Sequence, residues 1–409
     1  MTAGALLGEQ RVGIPGQGLA ATAAQQETVT LDPVEPFDAH RLEISGLVGQ
    51  LVELGVVAAD LARRMGVEGR VFVQFIVNED GSVAVVFNGE IYNFQALIAE
   101  LAPKGHVFRT KSDTEVIVHA WEEWGEDCVT RFRGMFAFAL WDRNRETLFL
   151  ARDRLGVKPL YYALLAGNLL VFGSELKSLA AHPAFVRELD APAIEEYFAF
   201  GYIPEPRTIY AGARKLPPGH TLSLRRGQPP GAPREYWDVR FTLDNPIREK
   251  DAQEELVARL QESVRLRMIS EVPLGAFLSG GVDSSAVVAM MAGLGSDPVN
   301  TCSIAFTDPA FDETAWARQV AERYRSRHFV DTVDSDDFSL IDVLARTYDE
   351  PYADSSALPT YRVCQLARRH VTVALSGDGG DESFAGYRRY RFHVMEERLR
   401  GALPMAMRR

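Results

Sequence analysis

The stretch Pro273-Leu274-Gly275-Ala276-Phe277-Leu278-Ser279-Gly280-Gly281-Val282-Asp283-Ser284-Ser285 decides how this chain is read. An apolar segment runs into a Ser-Gly-Gly turn, and the apolar run Ala286 to Leu294 leaves it with helical character. Adjacent glycines let a backbone approach a ligand closely. The N–H groups of such a turn, together with the positive end of the following helix, form a cradle for an anion. Ser279, Ser284 and Ser285 add hydroxyl donors, and Asp283 supplies a carboxylate from which a divalent cation can bridge to phosphate oxygens. No Gly-Lys-Ser or Gly-Lys-Thr occurs anywhere in the chain, which excludes the Walker loop. The plainer reading is a glycine turn in an ordinary βα unit; the pattern Ser279 to Ser285 favours phosphate.

Around this stretch the second half of the chain alternates. Helical spacing at Ala252–Met268 precedes a strand at Leu274–Leu278 and a helix at Ser284–Leu294. A strand at Thr301–Phe306 leads into a helix after Asp312 with Ala317, Val320, Ala321 and Tyr324 on one face. Strand-like His328–Val333, a helix from Ser335, a loop at Asp349–Ser356, a helix through Arg369 and a strand at Val371–Leu375 follow. This rhythm predicts a doubly wound parallel sheet with its ligands at the C-terminal edge of the strands.

The first half has a different character. Val83–Phe87 is a buried-strand run, followed by Asn88-Gly89-Glu90-Ile91-Tyr92-Asn93-Phe94, a helix at Gln95–Leu101, Ser112-Asp113-Thr114-Glu115 and a helix through Trp124. Short strands at Met135–Trp141, Thr147–Ala151, Leu160–Leu164 and Leu169–Phe172 complete a layered α+β domain. Residues 191–245, rich in Pro and Gly, read as a connector carrying one hairpin. Residues 1–82 are the least telling: 43–65 has helical spacing, and Val71 to Val77 alternates ahead of an Asp80-Gly81 turn. Gly16-Gln17-Gly18-Leu19-Ala20-Ala21 fits a loose dinucleotide pattern, yet it follows Pro15 and no βαβ unit surrounds it.

With 409 residues the chain has room for two or three cored domains. A net charge of −12 disfavours binding to nucleic acid or to an anionic membrane surface. Cys128, Cys302 and Cys364 are far apart and lack ligand spacing, so they read as isolated thiols of a reducing compartment. Without a secretory signal or a run of membrane-spanning length, the chain reads as a cytoplasmic protein.

Several long motifs in order resemble one family. They are Phe87–Phe94, Arg131-Phe132-Arg133-Gly134-Met135-Phe136, Ala151–Tyr162, Phe172–Lys177, the Ser279–Ser285 bend (similar to the pyrophosphate loop of ATP pyrophosphatases) and Ala374–Glu382. From about Val83 to Tyr390 the chain resembles the glutamine-hydrolysing asparagine synthetases. That resemblance implies an α+β layered domain like that of the N-terminal-nucleophile hydrolases, then an α/β doubly wound ATP-pyrophosphatase domain. The expected divisions are 1–82 without family character, 83–190 glutaminase-like, 191–245 connector and 246–409 synthetase, the last C-terminally incomplete.

Asn88, Gly89, Glu90 and Asp113 would line a glutamine pocket, in which carboxylates suit the ammonium of a free amino acid. An Asn-Gly turn and a helix cap at Ser112 are the plainer readings of these residues. The family nucleophile is a cysteine directly after the initiator Met; here that position is Thr2, which could serve only once Met1 is removed. Free ammonia would also supply the second domain. In that domain the backbone of Leu278 and Ile304 would read adenine, and Ser279, Gly280, Gly281, Ser284 and Ser285 would hold pyrophosphate. Asp283 and Asp381 would share one Mg²⁺, Ser376 and Gly377 would contact AMP, and Asp378 would act beside the aspartyl-adenylate. Asp378 stands where many members have glutamate.

The last lysine is Lys250, and the lysine that members place on a later helix is expected beyond Arg409; Arg388 and Arg389 are the nearby cations. The sheet is then expected to lack its last covering helices and to expose apolar surface. The implied partners are small molecules (ATP, aspartate, glutamine or ammonia), with no nucleic acid or membrane, and a homodimer as one expectation. The implied reaction amidates aspartate through a β-aspartyl-AMP intermediate. The alternatives are a carboxylate-adenylating ligase resembling the β-lactam synthetases and an inactive chain that only binds ATP.

Overall fold

A computed structural model describes residues 74–228, 231–241, 247–270, 272–310, 312–333 and 338–404. Thr2, the Gly16–Ala21 pattern and the helical spacing at 43–65 lie outside the described residues. The described residues fall into two compact units, 74–248 with 340–355, and 249–339 with 356–404.

The first unit contains β1 (Gln74–Val77), β2 (Val83–Ile91), α1 (Phe94–Leu101), α2 (Glu115–Trp124), β3 (Gly134–Asp142), β4 (Thr147–Arg152), β5 (Tyr161–Leu165) and β6 (Leu169–Gly173). It continues through α3 (Leu176–Ala180), α4 (Ala191–Phe200), β7 (Ala213–Lys215), β8 (His220–Arg225) and β9 (Arg234–Glu235). Six strands form an antiparallel sheet in the order β1-β2-β3-β4-β8-β9, and three form a second in the order β6-β5-β7.

Strand alternation sorts the side chains into layers. Val85, Phe87, Phe136, Phe138, Leu140, Phe149 and Ala151 pack against Leu97, Leu101, Ile117 and Trp121 of α1 and α2. Their neighbours Val86, Ala137, Ala139, Leu148 and Leu150 point to the opposite face, against Tyr162, Leu170 and Phe172 of the small sheet. Tyr161, Ala163 and Val171, on that sheet's far face, meet Leu176, Leu179 and Ala180 of α3. The result is four layers, helix, sheet, sheet, helix, as the layered α+β reading predicts.

Residues 191–245 are more than a connector. β7 completes the small sheet and β8 extends the large one by pairing with β4, while β8 and β9 supply the expected hairpin. β7 and β9 are concealed because three-residue and two-residue strands leave no visible alternation.

The second unit comprises α5 (Glu249–Arg267), β10 (Leu274–Phe277), α6 (Val282–Leu294), β11 (Asn300–Phe306), α7 (Thr314–Arg323) and β12 (Arg327–Val333). After α8 (Ile341–Thr347), which belongs to the first unit, come α9 (Ala357–Ala367), β13 (Val373–Leu375), α10 (Gly380–Phe384) and α11 (Arg388–Ala402). The helix expected from Ser335 is a 3₁₀ turn at Phe338–Leu340 followed by α8; residues 334–337 lie outside the description. The sheet is parallel, in the order β12-β11-β10-β13.

Val264, Val288, Met291, Ala317 and Ala321, from α5, α6 and α7, cover one face of that sheet. Val363, Leu366 and Ala367 of α9 cover the other, against Phe277, Cys302 and Phe329. The chain winds outward from β10 to β12, then returns to place β13 on the other side of β10. This reversal makes the edge beyond β10 and β13 a switch point, where loops diverge and leave a crevice. All three cysteines are buried free thiols. No helix among the described residues is long and apolar enough to cross a membrane.

Candidate functional sites

Because β10 and β13 are parallel neighbours in register (Ala276 opposite Leu375), the bends after them leave the same sheet edge. They touch. A Cβ on Gly380 would lie 2.5 Å from Asp283 Cγ, and one on Gly377 would lie 2.7 Å from the Ser284 nitrogen. Only glycine at both positions lets the Asp378-containing turn close onto the start of α6. The Asp283 carboxylate therefore rests against the residue preceding Asp381. Its pKa is raised, by burial and then by the negative charges of Asp381 and Glu382.

The Ser279–Ser285 bend is built from its own hydroxyls. Ser284, 8 % exposed, accepts from the Ser279 N–H at 3.2 Å and donates to the Gly281 carbonyl at 3.3 Å. The Ser279 hydroxyl lies 3.0 Å from that of Ser284 and accepts from the Gly281 N–H at 3.2 Å. Ser284 thus faces inward and shapes the bend, while Ser279 is exposed. Gly280 has φ +90°, and a Cβ there would meet the Ala317 nitrogen and Trp316 Cβ at 2.7 Å, so α7 closes over the turn. Gly281 is the N-cap of α6 and no side chain caps that end, leaving its first-turn N–H groups directed outward.

Leu278 donates its N–H to the Cys302 carbonyl at 2.9 Å, and its own carbonyl accepts from the buried Ser303 hydroxyl. One lone pair of that carbonyl is left for a ligand, and the N–H is committed to the sheet. Ile304, on β11, packs toward α9. Ser376 donates to Asp378 Oδ2 at 3.1 Å and accepts from the Asp378 N–H at 3.4 Å, a closed turn at the same edge. Arg389 stacks over Tyr387, 4.3 Å from its ring centre, and Tyr387 donates to Glu382 Oε1 at 2.6 Å.

In the first unit the predicted pocket residues gather at the end of β2. Asn88-Gly89-Glu90 continues the strand rather than turning, since β2 pairs with β3 through Ile91. Asn88 donates to the Ser174 hydroxyl at 3.0 Å, and Asp113 Oδ2 accepts from the Ile91 N–H at 2.8 Å. Two segments distant in sequence are thus pinned beside Gly89 and Glu90. Ser112 accepts from the Thr114 N–H at 3.2 Å, a local turn ahead of α2 rather than a helix cap.

The Ala151–Tyr162 motif has a structural cause that spacing alone hides. Buried Asp153 accepts from the N–H groups of Phe136, Leu155, Val157 and Lys158 at 2.9–3.1 Å. Arg152 donates to the carbonyls of Lys158, Gly156 and Leu216 and pairs with Glu205 at 2.7 Å. Sequence reasoning also passed over Glu115, whose buried carboxylate accepts from Arg109 N, Thr110 N and the Thr110 hydroxyl at 2.5–2.7 Å and so holds the loop leading to Asp113. Burial acts to raise its pKa, yet the pKa falls to about 2, because the His119 imidazole 3.7 Å away and the hydrogen bonds from Arg109 and Thr110 outweigh it.

Two family models match the chain. Residues 64–237 match the glutamine amidotransferase domain family, and residues 255–409 match the asparagine synthase family. A chain of Methanocaldococcus jannaschii, provisionally named a second glutamine-hydrolysing asparagine synthetase, is 40% identical over 311 residues, covering 75% of this chain and 59% of that one. Asparagine synthetase [glutamine-hydrolyzing] 1 of Bacillus subtilis is 36% identical over 318 residues, covering 76% and 49%. Its counterpart numbered 3 is 36% identical over 329 residues, covering 74% and 51%. The chain spans about half the length of the curated relatives it matches. With both domain models matched in order, the chain carries a glutamine amidotransferase domain followed by an asparagine synthase domain and is similar over three quarters of its length to glutamine-hydrolysing asparagine synthetases.

Proposed function

We propose that the second unit activates a carboxylate, that of aspartate, with ATP and passes the acyl group to ammonia. The observation that carries this reading is the contact of Asp283 with Gly380, which unites two acid-bearing glycine bends at a switch-point edge. The substrate's side-chain carboxylate oxygen attacks the α-phosphorus of ATP, and pyrophosphate leaves. Ammonia then attacks the acyl carbon; AMP departs, one proton is lost from nitrogen, and asparagine results.

The Ser279 hydroxyl and the uncapped N–H groups of α6 would hold the departing pyrophosphate. Ser376, Gly377 and the free lone pair of Leu278 would position the AMP portion, with Ile304 beside it. Asp378, exposed at the same edge, would act next to the acyl-adenylate.

A magnesium ion fits the donor set. The Asp283 pKa is raised by burial first and then by the negative charges of Asp381 and Glu382, and a divalent cation would relieve that repulsion. Asp283 and Asp381 would hold it; when bound it offsets negative charge building on the phosphates. In the first unit Asn88, Gly89, Glu90 and Asp113 would bind glutamine as the nitrogen source, with free ammonia as the other; Thr2 is the proposed nucleophile for hydrolysis.

Exchange of labelled pyrophosphate into ATP tests the reading. Exchange that depends on aspartate and Mg²⁺ and disappears in Asp283→Asn supports it. Exchange with another carboxylic acid but not aspartate overturns the substrate. ATP binding without exchange on any acid overturns the chemistry.

A further inference from the structure

Two imidazoles and two carboxylates meet in the first unit, well away from β2's pocket end, where the β1–β2 turn, the segment after α1 and α2 converge. His119, 1 % exposed, turns Nδ1 toward Glu122 Oε2 at 3.2 Å and Glu79 Oε2 at 3.7 Å. His106 turns its own Nδ1 toward the same Glu122 oxygen at 3.5 Å. Ligand atoms of Glu79, His106 and His119 all lie within 4.8 Å of one another. We propose that Glu79, His106, His119 and Glu122 form a binding site for a divalent transition ion of the zinc class, tying three elements of the first unit together.

Spacing is the first argument. Four ligands about 2.05 Å from a tetrahedral zinc stand about 3.3 Å from each other. The separations of 3.2, 3.5 and 3.7 Å bracket that edge, and the two longer ones exceed an ordinary hydrogen bond. All three are imidazole–carboxylate edges of the set, and two of them are too long to be hydrogen bonds.

Preorganisation is the second. Each carboxylate spends one oxygen on a fixed donor and offers the other inward: Glu79 Oε1 accepts from Val107 N at 2.9 Å, and Glu122 Oε1 accepts from Asn78 Nδ2 at 2.6 Å. Each histidine has a further carboxylate behind its outer nitrogen: Glu115 stands 3.7 Å from His119 Nε2, and Glu123 stands 3.6 Å from His106 Nε2. A carboxylate behind a ligating imidazole is the arrangement that orients metal-bound histidines. His119 Nε2 is buried and has no hydrogen-bond partner among the described residues, as expected of a ring whose orientation is set through Nδ1. Imidazole and carboxylate together suit zinc rather than magnesium or calcium.

The competing occupant is a proton held on His119 between the acids. The full chain, produced without a histidine tag and stripped with chelator, is titrated with zinc and separately with cobalt(II). We expect one tight equivalent, a cobalt d–d spectrum of four-coordinate intensity, and affinity reduced at least about tenfold in both Glu79→Gln and His106→Gln. Both side chains are partly exposed, so the variants fold, as melting of the metal-free proteins will show; should one not fold, the other carries the reading. Asp283→Asn, in the acid bend of the second unit, should leave the equivalent in place. No zinc uptake by the unaltered chain overturns the site in favour of the proton, and uptake unchanged in Glu79→Gln and His106→Gln overturns it in favour of another location.

Discussion

Lys215 Nζ lies 2.5 Å from Glu350 Oε2, both side chains about nine-tenths buried, joining the small sheet of the first unit to a segment that follows β12 in sequence. The other Glu350 oxygen accepts from Ile209 N at 2.7 Å. Its neighbour Asp349 accepts from Leu176 N at 2.6 Å and pairs with Lys177 at 3.2 Å. Burial raises the Glu350 pKa, and Lys215 and the Ile209 N–H oppose that rise. Residues 340–355 are thereby built into the first unit.

Breaking a buried pair on one side strands a charge. Lys215→Met should lower stability by about 3–5 kcal/mol, because Glu350 is left buried without its cation. Lys215→Met with Glu350→Gln should recover much of that loss, since the amide oxygen can still accept from Ile209 and no charge remains. Urea unfolding followed by Trp fluorescence measures both; equal losses in the single and double variants would refute the stranded-charge account.

Asp153 serves four backbone donors with one carboxylate. Asp153→Asn keeps a single acceptor oxygen and places an NH₂ against N–H groups, so a loss of about 2–4 kcal/mol is expected. A midpoint within the error of the unaltered protein in a denaturant melt would show that the loop does not depend on this side chain.

Gly380 can be tested by adding one carbon. In Gly380→Ala the methyl is driven onto the Asp283 carboxylate and must part the two bends. Pyrophosphate exchange should fall about a hundredfold, as displacements of about an ångström do, while the melting temperature of the second unit moves little. Retained exchange would mean that the contact between the bends is incidental.

For the first unit, the discriminating comparison is between nitrogen sources. Asn88→Ala and Asp113→Asn should each weaken glutamine-dependent synthesis at least about tenfold by removing pocket contacts. Synthesis from added ammonium chloride should be unchanged. A parallel fall with both sources, read from initial rates of AMP release, would place these residues outside a glutamine pocket.

The chain sequence and the folded molecule divide the account in a definite way. Local pattern alone located the four-strand parallel sheet, the strands of the layered domain and both glycine bends, because alternation, helical spacing and Gly-rich turns are short-range signals. Pattern could not place β7, β8 and β9 in their sheets, since β7 and β9 are only three and two residues long and the pairing of β8 with β4 joins segments far apart along the chain. Nor could it show that Ser284 faces into its own bend, that Asp153 gathers four N–H groups, or that Glu350 reaches Lys215. The motif residues were legible as types, whereas the closeness of Asp283 to Gly380 and of Glu79 and His106 to His119 exists only after folding. Residue identity fixes which chemistry a side chain can perform; the tertiary fold alone decides which of those side chains come within reach of one another.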